Sequence, residues 1–585
     1  MKKHYETHVE DTDKLISVAG PILDYKSWYE QYRKLMEEQA QRKYGLYTPT
    51  SEGDDDDFPS ITGMIARYSA LGLTNEQMAE NPVWKNLTGN GHDLPLKNFA
   101  WKGMSGVGGY VADIDEWGTN STAAYFERNS IKITATFKEN VSLGLLYHNI
   151  KLRQSCVLKV TGIPEGCDAF LDDRLGNRFY MSEDGVYEII PSNFLAEALY
   201  LSIEKYPERW YGSKLTIEQL PLYPGFILGD GVDDFAVTEK ELTFEDTYTV
   251  YTAFIPFQSN PSRNMILCGA DSKKTFSMQY SSLVYTSFIA GNSYRVNADF
   301  VNGLNLFACK RNGNNICIKN LLTNKVVTGT CGDWVENAGP YYLWRNATYA
   351  SFAKTAIAGQ TICNGYFSTD EDDEKVLNWY KKQYPWLFPY QAWTVVGKTN
   401  EDKKRATIAN ITGNGNDLVC LNLGFIEGSG YNEEGEYAGY LVTDGVDDKI
   451  TSSTFEMGND WTVIGDWELI NTGKNDNAGI VKFDSIVIYN YNPILINIKN
   501  GRNNLIPDQN TVNAICSDGR IYSKDWKESI YNEETESTSK NLLTIGYSGN
   551  RYTKIAFKNL AIYPTVLSKE DCIKAYNYLQ TLKAK

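Results

Sequence analysis

The chain has 585 residues, with 57 Lys and Arg against 73 Asp and Glu and a formal net charge of -16 at pH 7. That length suits about three to five domains, each with a core of its own. The acidic balance argues against binding phosphate backbones through a basic patch, so no nucleic-acid partner is expected.

Met1 to Gly20 carries Lys2 and Lys3 followed by Glu6, Glu10, Asp11 and Asp13, without an apolar stretch, so no secretory leader is expected. No run of about 18 apolar residues follows elsewhere, and membrane insertion is not expected. Ser27-x-x-Glu30 has capping-box spacing, and Trp28, Tyr29, Tyr32, Leu35 and Met36 then recur at helical spacing to about Arg42. Asp54 to Asp57 read as a solvated acidic linker. The apolar stripe has two readings: a lid on the first domain, or an attachment and oligomerisation element that uses Trp28, Tyr32, Leu35 and Met36.

From about residue 61 to 111, short apolar runs such as Met64-Ile65-Ala66 and Leu94-Pro95-Leu96 alternate with Gly/Asn turns. Period-two alternation then marks strands at Ile131–Phe137, Cys156–Val160, Tyr187–Ile190, Ala198–Ile203 and Leu215–Ile217. Five or more short strands with Gly/Asp/Pro turns between them predict a small β-sandwich over 112–225. Strands continue at Tyr248–Phe254 and Ile316–Ile318, and a helix is predicted over Asp370–Gln383. A second run from about 389 repeats the plan, with strands at Trp461–Ile464 and Ser485–Tyr489 and a helix bearing Ile573, Tyr576 and Leu579. Both helices begin with acidic residues, which favours the positive end of the helix dipole.

One pair of signatures occurs twice. Asn86-Leu87-Thr88-Gly89-Asn90-Gly91-His92-Asp93-Leu94 returns as Asn410-Ile411-Thr412-Gly413-Asn414-Gly415-Asn416-Asp417-Leu418, and Asp230-Gly231-Val232-Asp233-Asp234 returns as Asp444-Gly445-Val446-Asp447-Asp448. Thr88 and Asp230 lie 142 residues apart, whereas Thr412 and Asp444 lie 32 apart. Two modules therefore share a plan, and the first contains a large insertion. The partition is 1–60, an N-terminal helix and linker; 61–111 with 226–388, a discontinuous first module; 112–225, the insert; and 389–585, the second module.

The order T-G-N-G-x-D-L, then D-G-V-D-D, then Ala561-Ile562-Tyr563-Pro564-Thr565-Val566-Leu567-Ser568-Lys569-Glu570-Asp571 resembles the concanavalin-like, laminin-G-like jelly-roll superfamily. The resemblance covers about 61–111 with 226–385, and again 391–585. It implies a mostly β fold: two jelly-roll sandwiches, each closed by a helix, with the small sandwich inserted in the first. The first module departs from it, because Tyr366-Phe367-Ser368-Thr369-Asp370 lacks the I-Y-x-x-x-L-S wording. Jelly roll plus inserted sandwich also looks like virion appendage proteins, tail or head fibre-like, of bacteriophages, crAss-like gut phages among them.

Candidate chemistry is sparse. The ten cysteines show no metal-ligand spacing and are expected to be buried free thiols, although Cys309 and Cys317 could face one another across a hairpin. Four histidines leave little for a zinc or His-based centre. His92 aligns with Asn416, which argues against catalysis there. Asp233-Asp234 and Asp447-Asp448 have the chemistry for calcium. The preferred reading is that they define turns and cap amides, so no metal site or cofactor is expected. Asn90-Gly91 and Asn414-Gly415 read as hairpin turns needing positive φ. No nucleophile elbow, Walker loop, dinucleotide fingerprint or paired-carboxylate strand motif is present, and the protein is expected not to be an enzyme. Trp334, Tyr341, Tyr342, Trp344, Tyr489 and Tyr491 are the candidates for stacking on sugars, whereas Trp379, Trp386 and Trp393 suit a packed module junction.

The reading that follows is a structural and adhesion protein of a phage virion, made in the host bacterial cytoplasm. It would be attached to other virion proteins by its N-terminus, would form a homo-oligomer such as a trimer, and would bind a host-surface glycan. The alternative is a secreted bacterial glycan-binding protein or a concanavalin-like glycoside hydrolase.

Overall fold

The computed structural model describes residues 57–584 apart from short stretches, the longest being 190–198, 258–264, 471–478 and 531–540. Ser27, Glu30, Trp28, Tyr32, Leu35 and Met36 lie outside the described residues.

The chain is mostly β, built from antiparallel sheets that face one another in pairs. In the first pair, Lys325–Thr330, Asn315–Asn320, Asn305–Asn312, Thr247–Pro256, Lys354–Asn364, Tyr223–Asp230 and Gly106–Gly108 follow one another across an eight-stranded sheet. Met64–Ser69 adds to Lys354–Asn364. The facing sheet also has eight strands, in the order Val83–Trp84, Leu94–Lys97, Phe235–Val237, Tyr341–Leu343, Met265–Ala270, Phe276–Ser281, Tyr285–Ala290 and Tyr294–Asp299. Tyr68, Trp84, Phe254, Phe307, Tyr341 and Trp344 belong to the core between the two sheets. Strands from before and after the insert meet here, since Gly106–Gly108 pairs with Tyr223–Asp230.

Between those two strands the chain forms two five-stranded sheets with their own core of Ile133, Val160, Leu171, Ile203, Trp210 and Ile217. Here the sequence alternation is the cause of the architecture. Lys132–Phe137 and Lys214–Gln219 each bury every second residue, so one face meets the opposite sheet and the other meets solvent.

The third pair repeats the first. Gly430–Tyr431, Leu441–Val442, Ile555–Tyr563, Thr462–Leu469, Val512–Cys516, Arg520–Ser523 and Glu528–Ile530 form one sheet, with Gln391–Thr394 added to Ile555–Tyr563 just as Met64–Ser69 adds to Lys354–Asn364. Thr407–Ile408, Leu418–Leu421, Lys449–Phe455, Asn541–Ile545, Gly479–Phe483, Ile486–Tyr489, Leu495–Ile498 and Asn504–Leu505 form the other.

Thr247–Pro256 departs from alternation and is buried almost throughout. Both of its faces are covered. Tyr248, Val250 and Phe254 enter the sandwich core, while Tyr251, Ala253 and Ile255 enter a second cluster behind the sheet. That second cluster belongs to both large sandwiches. It takes in the helices Asp370–Gln383 and Lys569–Gln580, the linker residues Tyr384 and Trp386, and Ile464, Ala514 and Tyr563 from the third pair of sheets. Burying a large apolar side chain contributes about 1.5–3 kcal/mol, so a junction this rich in Trp, Tyr and Leu is packed like a domain core. Trp379 and Trp386 serve this junction, whereas Trp393 lies in the core of the later sandwich.

Both closing helices start where their caps predict. The Thr369 and Ser568 hydroxyls accept the amides of Asp372 and Asp571 at 3.2 and 3.1 Å, and Asp372 completes a capping box. The first module closes on its helix without the I-Y-x-x-x-L-S wording. Tyr366 and Ser368 supply the contacts instead, the Tyr366 carbonyl accepting the Thr249 hydroxyl at 3.1 Å and the Ser368 amide donating to it at 3.0 Å.

Candidate functional site

The doubled signature folds into the same hydrogen-bond network twice. The Asn86 side chain accepts the Thr88 amide at 3.1 Å and donates to the Gly91 carbonyl, and Asn410 does the same with Thr412, at 3.0 Å, and with Gly415. Asp93 caps the Asn86 amide at 2.9 Å, and Asp417 caps Asn410 at 2.8 Å. Positive φ falls on Gly91 and Gly415 but not on Asn90 or Asn414, as a two-residue hairpin turn would have required. The second left-handed residue is His92 in one module, φ 60°, and Asn416 in the other, φ 62°. Both of these use their carbonyl, which accepts from the Tyr68 hydroxyl at 2.5 Å or from the Trp393 indole at 2.9 Å. The position therefore selects a backbone conformation, and an imidazole is incidental to it.

The D-G-V-D-D turns also coincide. The Asp230 and Asp444 carboxylates each accept the amide two residues on, at 2.7 Å in both turns. Asp234 and Asp448 reach back to accept the amides of Asp230 and Asp444 at 2.9 and 2.8 Å. Asn98 and Asn422 brace the far side by donating to the carbonyls of Asp233 and Asp447 at 3.0 and 2.9 Å. Capping is thus what these carboxylates do, but it leaves a remainder. Asp234 and Asp448 are buried, at 1% and 0% exposure, and Oδ1 of each has no hydrogen-bond partner. Burial pushes the Asp234 carboxyl up to about 7, with the neighbouring Asp230 and Asp233 charges adding to it, and burial raises Asp448 in the same way.

The aromatic candidates separate. Tyr341 and Trp344 are fully buried and face the first sandwich core, not a ligand. The Tyr341 hydroxyl donates to Gln360 at 2.7 Å, and the Trp344 indole donates to the Thr355 carbonyl at 3.0 Å. Alternation from Tyr341 to Leu343 turns both of those residues inward and leaves Tyr342 half-buried on the other face. Trp334 is half-buried, with the Arg311 guanidinium 4.9 Å from its ring centre. Tyr489 ends the strand Ile486–Tyr489, and Tyr491 lies outside the described residues. The structure gathers no stacking platform from these positions among the described residues. Cys309 and Cys317 do not face one another, because Cys309 pairs with Ile318 and Cys317 with Lys310.

A cleft forms instead where the two large sandwiches meet. Its volume is about 340 Å³, and Phe388, Tyr390, Asn320, Asn414, Lys381 and Tyr578 are among the residues lining it. Each wall is fixed by bonds that cross the junction or close a turn. The Tyr578 hydroxyl, on the closing helix of the second module, accepts the Leu304 amide of the first at 2.8 Å. Asn414 donates to the Tyr390 carbonyl at 2.7 Å. Thr323 also lines the cleft, and its hydroxyl has no partner. The sequence marks Asn414 as a turn former only. Its role as a cleft residue depends on residues 94 positions earlier in the chain, a proximity for which the sequence carries no signal.

No family model matches the chain, and no curated protein matches it in sequence. Among solved structures it is similar to a Trypanosoma rangeli sialidase in complex with 2,3-difluoro-KDN, at 10% identity over 27% of this chain and 28% of that one, with a TM-score of 0.22. It is similar to the botulinum neurotoxin serotype D ligand binding domain in complex with N-acetylneuraminic acid, at 9% identity over 59% of this chain and 88% of that one, TM-score 0.26. The VIP36 exoplasmic/lumenal domain, in its Ca2+/Man3GlcNAc-bound form, matches at 10% identity over 26% and 84%, TM-score 0.19. The chain therefore spans about a quarter of the sialidase it matches. Similarity at these TM-scores carries no argument about what this chain binds.

Proposed function

We propose that the protein is a non-enzymatic structural and adhesion protein of a bacteriophage virion, a tail or capsid appendage that binds host-surface glycan. In this reading the N-terminal segment attaches to other virion proteins and joins copies of the chain, with the sandwiches projecting outward. The observation that carries the glycan part is the cleft at the sandwich junction. Its 340 Å³ lies at the small end of the roughly 300–1,000 Å³ of small-molecule sites, which suits a short saccharide. Phe388 and Tyr390 supply rings for stacking on a sugar face, and Asn320, Asn414 and Lys381 supply amides and an ammonium for its hydroxyls. Such a site holds a neutral or acidic sugar without any group suited to cleaving it.

Two measurements test the proposal. A glycan array probed with the full chain should return binders, and Asn414→Ala with Lys381→Ala should weaken them about tenfold or more, in line with ~1–1.5 kcal/mol per lost hydrogen bond. An array without binders removes the glycan reading. Immunogold electron microscopy of purified particles should label an appendage, and unlabelled particles remove the virion reading.

A further inference from the structure

We infer that each D-G-V-D-D turn is a calcium site, so that the chain binds two ions, one in each large sandwich. Both turns are separate from the cleft, and none of their residues lines it. Asp230, Asp233 and Asp234 each offer one carboxylate oxygen, and these oxygens all lie within 4.8 Å of one another; Asp444, Asp447 and Asp448 repeat the arrangement. A cluster of carboxylates at a turn tip is common and by itself means little. What distinguishes this pair is the buried remainder. Each turn uses Oδ2 of its last aspartate to cap an amide and leaves Oδ1 of the same side chain without a donor, in a residue at most 1% exposed.

A buried polar oxygen without a partner is unfavourable, and more so when charged. Both modules keep it, at the same position of the same turn. The other two carboxylates repel an ionised Asp234 or Asp448, so the group that relieves it carries positive charge.

The ligand chemistry selects the ion. Calcium takes six to eight oxygens at about 2.3–2.6 Å, in flexible geometry, so two oxygens touching one ion can lie up to about 4.6–5.2 Å apart. Three oxygens within 4.8 Å of one another fall inside that reach. Magnesium demands strict octahedral geometry and gives up its waters reluctantly, so a turn that supplies three carboxylates suits calcium better. Each trio lacks the imidazole and thiolate that favour zinc or copper. Access comes from the surface. Val232 and Val446 at the turn tips are 70% and 72% exposed, and Asp233 and Asp447 are exposed beside them, so water can complete the shell. Three protein carboxylates completed by water resemble the weak sites of extracellular modules, with dissociation constants of about 10⁻⁴–10⁻³ M.

The test uses the full chain after dialysis against a chelator. Isothermal titration with calcium chloride should give a stoichiometry of two, and the melting temperature should rise with calcium and respond much less to equal magnesium. Asp233→Asn and Asp447→Asn keep the backbone carbonyls that Asn98 and Asn422 hold, so both variants should fold. Each should reduce the stoichiometry from two to one, and the double variant should bind no calcium while keeping the melting temperature of the chelated wild type. No heat and no shift in melting temperature at about ten times the expected dissociation constant would overturn the proposal. So would calcium binding unchanged in the double variant.

Discussion

The two large sandwiches share their turns and their strand order, yet they differ completely in what they bury under the closing helix. Thr249 pairs with Lys310 in the first, and Thr462 pairs with Cys516 in the second. Both threonine hydroxyls bond to the segment leading into the helix, Thr249 with Tyr366 and Ser368, Thr462 with Thr565 and Leu567. The fourth residue of the helix then meets that strand position: Asp373 in one case, Cys572 in the other. The first module has an ion network there, in which Lys310 and Lys319 reach Asp373 at 2.7 and 2.9 Å while Tyr251 and Ser368 donate to its other oxygen. In the second module two buried thiols, Cys516 and Cys572, take that place, and the Thr462 hydroxyl donates to the Cys516 sulfur at 3.7 Å. The difference teaches that the fold asks this position only to fill its space and to leave no polar group unpaired. An ion network is costly to desolvate and becomes tolerable once every member has partners.

Breaking the ion network should have the largest effect. Asp373→Ala leaves the Lys310 ammonium buried without its counter-charge and should cost about 3–5 kcal/mol in chemical denaturation of the full chain. Replacing Lys310 as well, in Lys310→Met with Asp373→Leu, should recover part of that loss, since Tyr251, Ser368 and Lys319 still lose the Asp373 carboxylate. If the double replacement is as costly as the single one, the fold needs the charges themselves and the comparison fails. The pH dependence sharpens it. Burial alone would lower the Lys319 pKa, but the Asp370 and Asp373 carboxylates outweigh burial and raise it above 10.5. Stability from this charge is fully present below 10.5 and is lost as pH rises through the higher folded value. The deficit of Lys319→Met should therefore persist across neutral pH and shrink only beyond 10.5.

In the second module Cys572→Ala should cost only about 1 kcal/mol, the loss of one buried sulfur and a small void. A cost comparable to that of Asp373→Ala would show that the thiol pair does more than fill space. The smallest contrast should come from the shared turns. Asp93→Ala and Asp417→Ala each remove one cap on a backbone amide and should cost about 1 kcal/mol or less in melting curves. Asp93→Ala also releases Lys85, whose ammonium meets the carboxylate at 2.7 Å, which should add at most about 1 kcal/mol. A larger difference would mean that matching geometry hides different energetics.

Much of the architecture was legible because it rests on short-range rules. The insert's strands were visible in period-two alternation, and the helix over Asp370–Gln383 in its acidic start. The cysteines described are buried free thiols, as their lack of spacing suggested. The candidate site was hardly legible. Tyr341, Tyr342 and Trp344 form an aromatic run that reads equally as surface or core, and only the pairing of their strand with Met265–Ala270 and Phe235–Val237 turned Tyr341 inward. The cleft leaves no mark on the sequence because Asn320, Tyr390 and Tyr578 are far apart in the chain and belong to different modules.

What the sequence determined by itself was the chemistry of its turns. Asn86, Asp93, Asp230 and their counterparts bond to amides within seven residues, and such bonds form wherever the chain goes. Tertiary structure alone decided which side chains lost their water. Asp234 reads in the sequence as one more turn aspartate. Its unpartnered oxygen exists because sheets assembled from strands more than a hundred residues apart close over it, and burial depends on everything that packs around a group.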